Sequence, residues 1–337
     1  MIKVSVIIPT KNEEKHISKV LDSIIAQDYP KEYMEILIID AMSVDNTRKI
    51  VEEHQQKYSF IKLLNNPKEF TPYAFNIGIK NSSGDFIVLM GAHTTYSTNY
   101  VSTIVKYLSN GKAECVGSIA STLPGNNTIT AKAIALGLSS PFGVGNSYMR
   151  IGSKSARYAD TASCPGYKKE VFEKIGLFDE DLMRAQDCEF NFRLIKNGGK
   201  VLLVPSIISY YYARDSLNKS WRMNFQYGYF KTLVAKKVGT VITWRQLIPP
   251  IFVASLIITG LLAFLSKYFF LSFIFIVCLY LITNLFVSLF ISIKKREIKL
   301  VPFLIISFAC MHFSYGFGYL KGLWDFIIFK RRERKKI

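Results

Sequence analysis

Gly84-Asp85-Phe86-Ile87-Val88-Leu89-Met90-Gly91-Ala92-His93 is the stretch that decides the fold. A glycine-led start, five consecutive apolar residues and a small-residue turn make a strand buried on both faces, the kind found in a mostly parallel sheet. Ligands of open α/β sheets collect outside the carboxyl ends of the strands, so His93, just past that end, marks where chemistry is expected. A satisfied surface histidine in a turn is the plain alternative.

Working outward, residues 4–8 (Val-Ser-Val-Ile-Ile) form a short apolar strand stopped by Pro9-Thr10, and an amphipathic helix follows to about Ala26. Residues 36–39 make a second strand ending on Asp40, and the polar turn through Thr47 caps a helix to about Lys57. Residues 61–64 make a third strand, and Thr71-Pro72 opens a helix to about Asn81. Four strands alternating with helices predict βαβ units and a parallel sheet with helices on both faces. The first loop, Asp40 and the His93 turn then share one sheet edge, where a single ligand can touch all three. No GxGxxG or GxxxxGK[ST] occurs, so a diphosphate would be met by a metal or basic side chains.

Charge and hydropathy divide the chain. Its 337 residues carry a formal net charge of +18, yet residues 1–213 hold 24 basic against 21 acidic side chains. The excess sits at residues 214–245 (seven basic, one acidic), 294–299 and 330–336, flanking long apolar runs beyond residue 246. That placement fits anionic headgroups and the positive-inside rule better than a nucleic-acid surface. Five scattered cysteines without CxxC or zinc spacing indicate neither a disulfide framework nor a structural metal site. With no signal-peptide pattern at Met1, the expected location is the inner face of the cell membrane, catalytic part cytoplasmic. The expected parts are 1–213 catalytic, 214–245 interfacial helices and 246–337 membrane-embedded with a basic tail.

Within the last part, residues 247–265 and 269–293 are each long enough to cross. Residues 300–329 are interrupted by Gly316, Gly318, Gly322, Lys321 and Asp325, which predicts a re-entrant hairpin returning the basic tail to the cytoplasm. Residues 217–237 mix aromatic and basic side chains suited to the headgroup layer.

Further along the first part, residues 99–110 read as a surface helix and 114–119 as a strand. Residues 137–152, centred on Pro141-Phe142-Gly143-Val144-Gly145-Asn146, read as a connector or, preferably, a mobile lid, with Gly145 and Asn146 as acceptor-side candidates. Residues 170–175 form a short helix, followed by a solvated acidic turn at Asp179, Glu180 and Asp181. Gln186 then opens a helix to about Asn197, on which Glu189 and Arg193 can pair. Asp187 is left for other work, either as a first-turn aspartate on the helix dipole or as the base that takes a proton from an attacking hydroxyl. Residues 201–205 make a strand, after which Ser209-Tyr210-Tyr211-Tyr212 leads out of the domain.

Val4-Ser5-Val6-Ile7-Ile8-Pro9-Thr10-Lys11-Asn12-Glu13-Glu14, then Ile38-Ile39-Asp40-Ala41-Met42-Ser43-Val44-Asp45-Asn46-Thr47, Asn76-Ile77-Gly78-Ile79 and Gly84-Asp85-Phe86-Ile87 resemble, in that order, the N-terminal half of family 2 glycosyltransferases of the GT-A fold. The resemblance implies that Pro9, Glu13, Asp40 and Asp85 help seat the base and ribose of a nucleotide-sugar. Gly91-Ala92-His93 stands where the family has Asp-X-Asp, and succinoglycan-type membrane members look like Asp-Ala-His there. Ala92 thereby joins the donor-binding set and His93 takes the metal position, while Gly91 offers no side chain. An imidazole favours Mn²⁺ over Mg²⁺. Asp187 falls on the second residue of the family's Glu-Asp motif, with Gln186 in place of the glutamate, which implies that it is the catalytic base. The same branch shows a similar Phe-Gly-Val-Gly-Asn stretch.

The expectation is thus an inverting glycosyltransferase moving a sugar from a nucleoside-diphosphate-sugar to a polyprenyl-linked saccharide in cell-surface polysaccharide or glycan assembly. The alternatives are a polyprenyl-phosphate sugar synthase and a nucleotide-sugar-binding subunit weakened by Gly91 and Gln186.

Overall fold

A computed structural model of the protein describes residues 1–330. The basic tail expected inside the cell lies, save Lys330, outside the described residues. The chain divides into two units, one of residues 1–121 and 148–211, the other of 122–147 with 212 onward.

In the first unit β1 (Val4–Thr10), β2 (Met34–Asp40), β3 (Ile61–Asn65) and β4 (Phe86–Leu89) pair in parallel in the order β3-β2-β1-β4. Alternate side chains supply two cores. Val4, Val6, Ile8, Ile36, Ile38 and Val88 pack with Leu21 and Ile24 of α1 (Ile17–Ile25) and with Val101 and Ile104 of α4 (Tyr100–Ser109). On the opposite face Ile7, Leu37, Ile39, Ile87 and Leu89 pack with Ala74 and Ile79 of α3 (Thr71–Lys80) and with Phe172 of α8 (Glu170–Ile175). A strand flanked by helices on both faces must be apolar at every position, which is why these segments read as unbroken runs. The helix α2 (Thr47–Lys57) adds Val51 to the first face.

The sheet continues past β4 with antiparallel strands. β8 (Ser163–Lys168) pairs with β4, β6 (Cys115–Leu123) with β8, and β9 (Val201–Tyr212) with β5 (Thr94–Tyr96) and β7 (Arg157–Tyr158). The tyrosine-rich stretch expected to lead out of the domain is instead the far half of β9, since Ile207–Tyr212 has strong strand preference and Thr94–Tyr96 supplies it a partner. Residues 99–110 are a helix whose Tyr100, Val101, Ile104 and Leu108 are buried in the core, so it is a packed helix with one wet face.

A polar staple that hydropathy could not reveal closes the amino-terminal edge. Glu35 accepts from Ser5 Oγ (2.6 Å), Ser83 N (2.6 Å), Ser83 Oγ (2.9 Å) and Lys62 Nζ (3.0 Å), joining three strands to the start of β4. Burial raises the Glu35 carboxyl, but these four donors outweigh it and pull it down to about 2. A carboxyl depressed on folding stabilises the protein above its unfolded value of about 4.5, and that contribution is lost as pH falls toward 2. Glu35→Gln is therefore expected to remove the part of acid unfolding that falls in this window, seen as a flatter acid limb in tertiary circular dichroism. Superimposable limbs for the two proteins would refute it.

The second unit is helical: α5 (Ile129–Leu138), α6 (Pro141–Val144), α10 (Leu217–Val238), α11 (Ile248–Leu262), α12 (Lys267–Lys294) and α13 (Leu300–Gly322), which runs on through a π-helical Leu323–Ile328. Among the described residues three helices are long and apolar enough to cross a membrane: Trp244–Leu262, Lys267–Lys294 and Leu300–Ile328. The last corrects the re-entrant expectation, because its glycines do not break the helix. They let α10 approach: a Cβ on Gly318 would fall on the Phe225 carbonyl and one on Gly322 on Thr232 Oγ1, while Gly228 of α10 faces the Tyr315 carbonyl. Residues 217–237, expected to suit the headgroup layer, form α10, whose Tyr229, Phe230, Leu233 and Val234 are buried.

Residues 137–152 are corrected too. They are not an open loop but the end of α5, then α6, a turn and α7 (Tyr148–Ile151). Residues up to 147, expected in the catalytic part, belong with the long helices: Phe142 stacks edge-on against Phe308 and His312, and its carbonyl lies 2.8 Å from His312 Nε2.

Candidate active site

The carboxyl edge of the parallel strands carries the site of the first unit. The loops after β1 and β2 are laced together: Asn12 N donates to Ser43 Oγ (2.8 Å), Val44 N to Asn12 Oδ1 (3.0 Å), Glu13 N to Thr47 Oγ1 (2.7 Å) and Asn46 N to Glu14 (3.1 Å). Asp45, in the turn expected to cap a helix, takes the Thr47 N–H and hydroxyl on one oxygen and the Glu14 N–H on the other. Burial raises its carboxyl, and these bonds reverse the shift and hold it below the usual range.

Asp40 ends β2 fully buried. Its Oδ2 accepts from Arg48 (2.8 Å) and Ser43 N (3.1 Å), but Oδ1 is buried with no hydrogen-bond partner. A buried carboxylate oxygen with an empty lone pair is costly unless a ligand donor completes it. Pro9 lies in the last turn of β1 beside it, paired with Ile39.

The loop after β4 brings His93 to Glu13, eighty residues away in sequence: His93 Nδ1 lies 3.2 Å from Glu13 Oε1, and both side chains remain partly exposed. An imidazole that gives Nδ1–H to a carboxylate presents Nε2 outward, the arrangement found around metal-ligating histidines. Ala92 is buried in the core beside it, so only its backbone can meet a ligand. The loop is braced by Tyr96, whose hydroxyl takes the Gly91 N–H at 2.6 Å and lies 3.5 Å from Cys164 Sγ at the start of β8. Among the described residues no three His, Cys, Asp or Glu side chains cluster as a metal site, so a cation here would depend on ligand oxygens as well as His93.

Asp85 requires a correction. It precedes β4, accepts from Lys3 N (3.0 Å) and faces the opposite edge, a four-residue strand or about 13 Å from the His93 loop. The Gly-Asp pair opening the strand is a structural clasp, so the donor-seating role that the resemblance implied for Asp85 does not fit its place, a full strand length from the His93 loop.

Topology sets the direction in which Asp187 faces. Its helix, α9 (Gln186–Lys196), ends at the amino-terminal edge, where Lys200 pairs with Glu114, and packs Phe190 and Leu194 beneath the sheet. Its first turn therefore points back toward the carboxyl edge, and Asn191 one turn on bonds Thr161, just before β8 (3.3 Å), and Tyr167 (2.9 Å). Glu189 is buried against Arg193, which also donates to the Ile175 and Leu177 carbonyls, so that pair anchors the helix. The Asp187 carboxylate makes no hydrogen bond or ion pair with a described residue. Burial pushes the Tyr167 phenol well up, and the charge of Asp187 contributes.

Gln186 begins the helix directly after Ala185, held at a φ of +61°. Asn12, Met42, Glu69 and Cys164 are the other non-glycine residues of this unit with positive φ among those described. All sit in the loops or strand starts of this one edge, and backbone strain gathers where a site imposes its geometry. Of the acidic turn, Glu180 is not merely solvated: it accepts from Asn76 (2.9 Å), which also clasps the Phe178 backbone. Gly145 and Asn146 fall in the helical unit, where Arg245 donates to Asn146 Oδ1 (3.2 Å).

Comparison with known proteins bears on the family and the fold. The family model described as glycosyl transferase family 2 matches residues 5–176. A Methanococcus voltae protein, dolichyl N-acetyl-alpha-D-glucosaminyl phosphate 3-beta-D-2,3-diacetamido-2,3-dideoxy-beta-D-glucuronosyltransferase, is 36% identical over 332 residues, which cover 95% of this chain and 98% of that protein. The chain belongs to glycosyltransferase family 2. Succinoglycan biosynthesis protein ExoA of Rhizobium meliloti is 26% identical, with 72% of this transferase and 73% of that protein covered. Among solved structures, a mannosyltransferase of Pyrobaculum calidifontis in complex with GDP-Man and Mn²⁺ superposes with a TM-score of 0.64 at 16% identity, covering 96% of this chain and 88% of that one. That likeness gives the transferase a GT-A fold.

Proposed function

We propose that this transferase moves a sugar, with inversion, from a nucleoside-diphosphate-sugar to a hydroxyl of a lipid-phosphate-linked saccharide at the cytoplasmic face of the cell membrane. The chemistry rests on the two acidic groups at one sheet edge that no described residue satisfies, Asp40 Oδ1 and the Asp187 carboxylate. The acceptor class rests on the Methanococcus voltae relative, whose name specifies a dolichyl-phosphate-linked acceptor and whose likeness extends through the long apolar helices. The basic residues at 214–245 and 294–299 support the cytoplasmic orientation.

In this reading Asp40 takes an N–H of the base on Oδ1, with Pro9 beside it. The acceptor hydroxyl attacks the anomeric carbon from the face opposite the diphosphate and passes its proton to Asp187, while the bond from that carbon to the diphosphate oxygen breaks and the nucleoside diphosphate leaves. His93 Nε2, oriented by Glu13, would hold a divalent cation that offsets the leaving charge, and the imidazole favours Mn²⁺ over Mg²⁺. The test is the full chain in detergent, a nucleotide-sugar panel and a synthetic polyprenyl-phosphate-linked N-acetylglucosamine. Extension of the lipid-linked sugar supports the proposal, and transfer only to bare polyprenyl phosphate overturns it. In the same assay Glu13→Gln is expected to raise the Mn²⁺ concentration for half-maximal rate about 10–100-fold. An unchanged requirement removes the cation from His93.

A further inference from the structure

Two half-buried arginines of the first unit carry a buried nitrogen with no hydrogen-bond partner, Arg150 and Arg157; Arg157 stacks on Tyr148 and sits in β7 opposite Leu203, toward the amino-terminal end of β9, which leaves Arg150 as the one near the carboxyl edge. Arg48 is paired with Asp40 and Arg193 with Glu189. The Arg150 guanidinium instead lies over the ring of Tyr211, 4.5 Å from its centroid, and Nη1 is buried with no hydrogen-bond partner. A charged donor withdrawn from water and left unmet is among the costliest arrangements a protein can hold, and it persists where a ligand supplies the acceptor.

The register places Arg150 relative to the sheet edge. Tyr211 pairs with Thr94, the residue that follows His93, at the carboxyl end of β9 and the same sheet edge as Asp40. Stacking on Tyr211 fixes the plane of the guanidinium, and a fixed planar fork matches a carboxylate or a phosphate, presenting parallel N–H groups where a lysine offers one point charge. Arg150 lies in α7, immediately after the chain re-enters this unit at Tyr148.

We infer that Arg150 recognises the carboxylate of an acidic transferred sugar. This rests on the donor reading above, and the Methanococcus voltae relative, named for a glucuronosyl group, indicates the chemical class. The shared chemistry of the two anions near this edge is an oxyanion pair, so the experiment must separate the sugar carboxylate from the donor diphosphate.

The probes are UDP, UDP-glucose and UDP-glucuronate, the last two differing only in a hydroxymethyl or a carboxylate at C6. Binding to the full chain in detergent is measured by calorimetry for the wild type, Arg150→Gln and Arg150→Lys. The wild type is expected to bind UDP-glucuronate about tenfold or more tighter than UDP-glucose, in line with a charge-assisted pair. Arg150→Gln abolishes that preference while leaving UDP affinity unchanged, which also shows that the variant is folded, and Arg150→Lys retains only part of it. A preference that survives in Arg150→Gln, a wild type without preference, or equal weakening of UDP and UDP-glucuronate overturns the inference, the last by assigning the guanidinium to the diphosphate. A wild type that binds no uridine nucleotide overturns the donor reading and this inference with it, an outcome distinct from normal UDP binding without uronate preference.

Discussion

Asp187→Asn is expected to lower kcat about 10²–10⁴-fold with donor affinity little changed, the range a positioned general base contributes. The substitution keeps the size and first-turn position of the side chain but removes the basic oxygen that takes the acceptor proton, so loss should fall on the chemical step. Glu189→Gln, two residues on, makes the contrast. It leaves the half-buried Arg193 beside a neutral partner and so should lower stability, with the rate per folded molecule largely kept. Steady-state kinetics on both variants, with donor binding measured separately, give the answer. Full turnover by Asp187→Asn would remove it as base and favour transfer to a phosphate acceptor, which has no proton to surrender.

Gly228→Ala and Gly318→Ala are each expected to cost about 1–3 kcal/mol, the range for overpacked interiors. A new Cβ at either position would lie less than 3 Å from a carbonyl oxygen of the facing helix, Tyr315 for the first and Phe225 for the second, and a backbone carbonyl cannot rotate away as a side chain can. α10 and α13 would have to separate along their whole contact. Gly260→Ala in α11 is the control. Its Cβ would meet only the Phe273 ring at ordinary contact distance (3.4 Å), so the better helix former should be neutral or gain up to about 1 kcal/mol. Thermal melts in detergent, followed by loss of monodisperse protein, separate the two cases. Equal melting temperatures for all three variants would show that the glycines are not packing residues.

His93 was legible as a candidate because it follows a hydrophobic run that fixes where a strand ends, and Asp187 because it stands in the first turn of a helix, on the second residue of a family motif. Arg150 was not, since its meaning lies in what is missing around Nη1. Glu35 was equally silent: an acid at the second position of β2 looks like an interruption until Ser5, Lys62 and Ser83 are seen around it. The glycines of α13 misled because Gly316, Gly318 and Gly322 look identical in sequence whether they break a helix or admit a neighbour.

The amino-acid sequence alone determined the alternation of strands and helices up to β4, the parallel sheet, the edge on which a ligand would sit and the three long apolar segments. These follow from local periodicity and from the rule that a strand covered on both faces is apolar throughout. Only the tertiary structure decided that Glu13 turns to His93, that Asp85 faces away, that residues 122–147 belong with the long helices and that α10 rests on α13. Each of those depends on side chains far apart in the chain meeting at hydrogen-bond or van der Waals range, and periodicity carries no information about which distant surface a side chain will find.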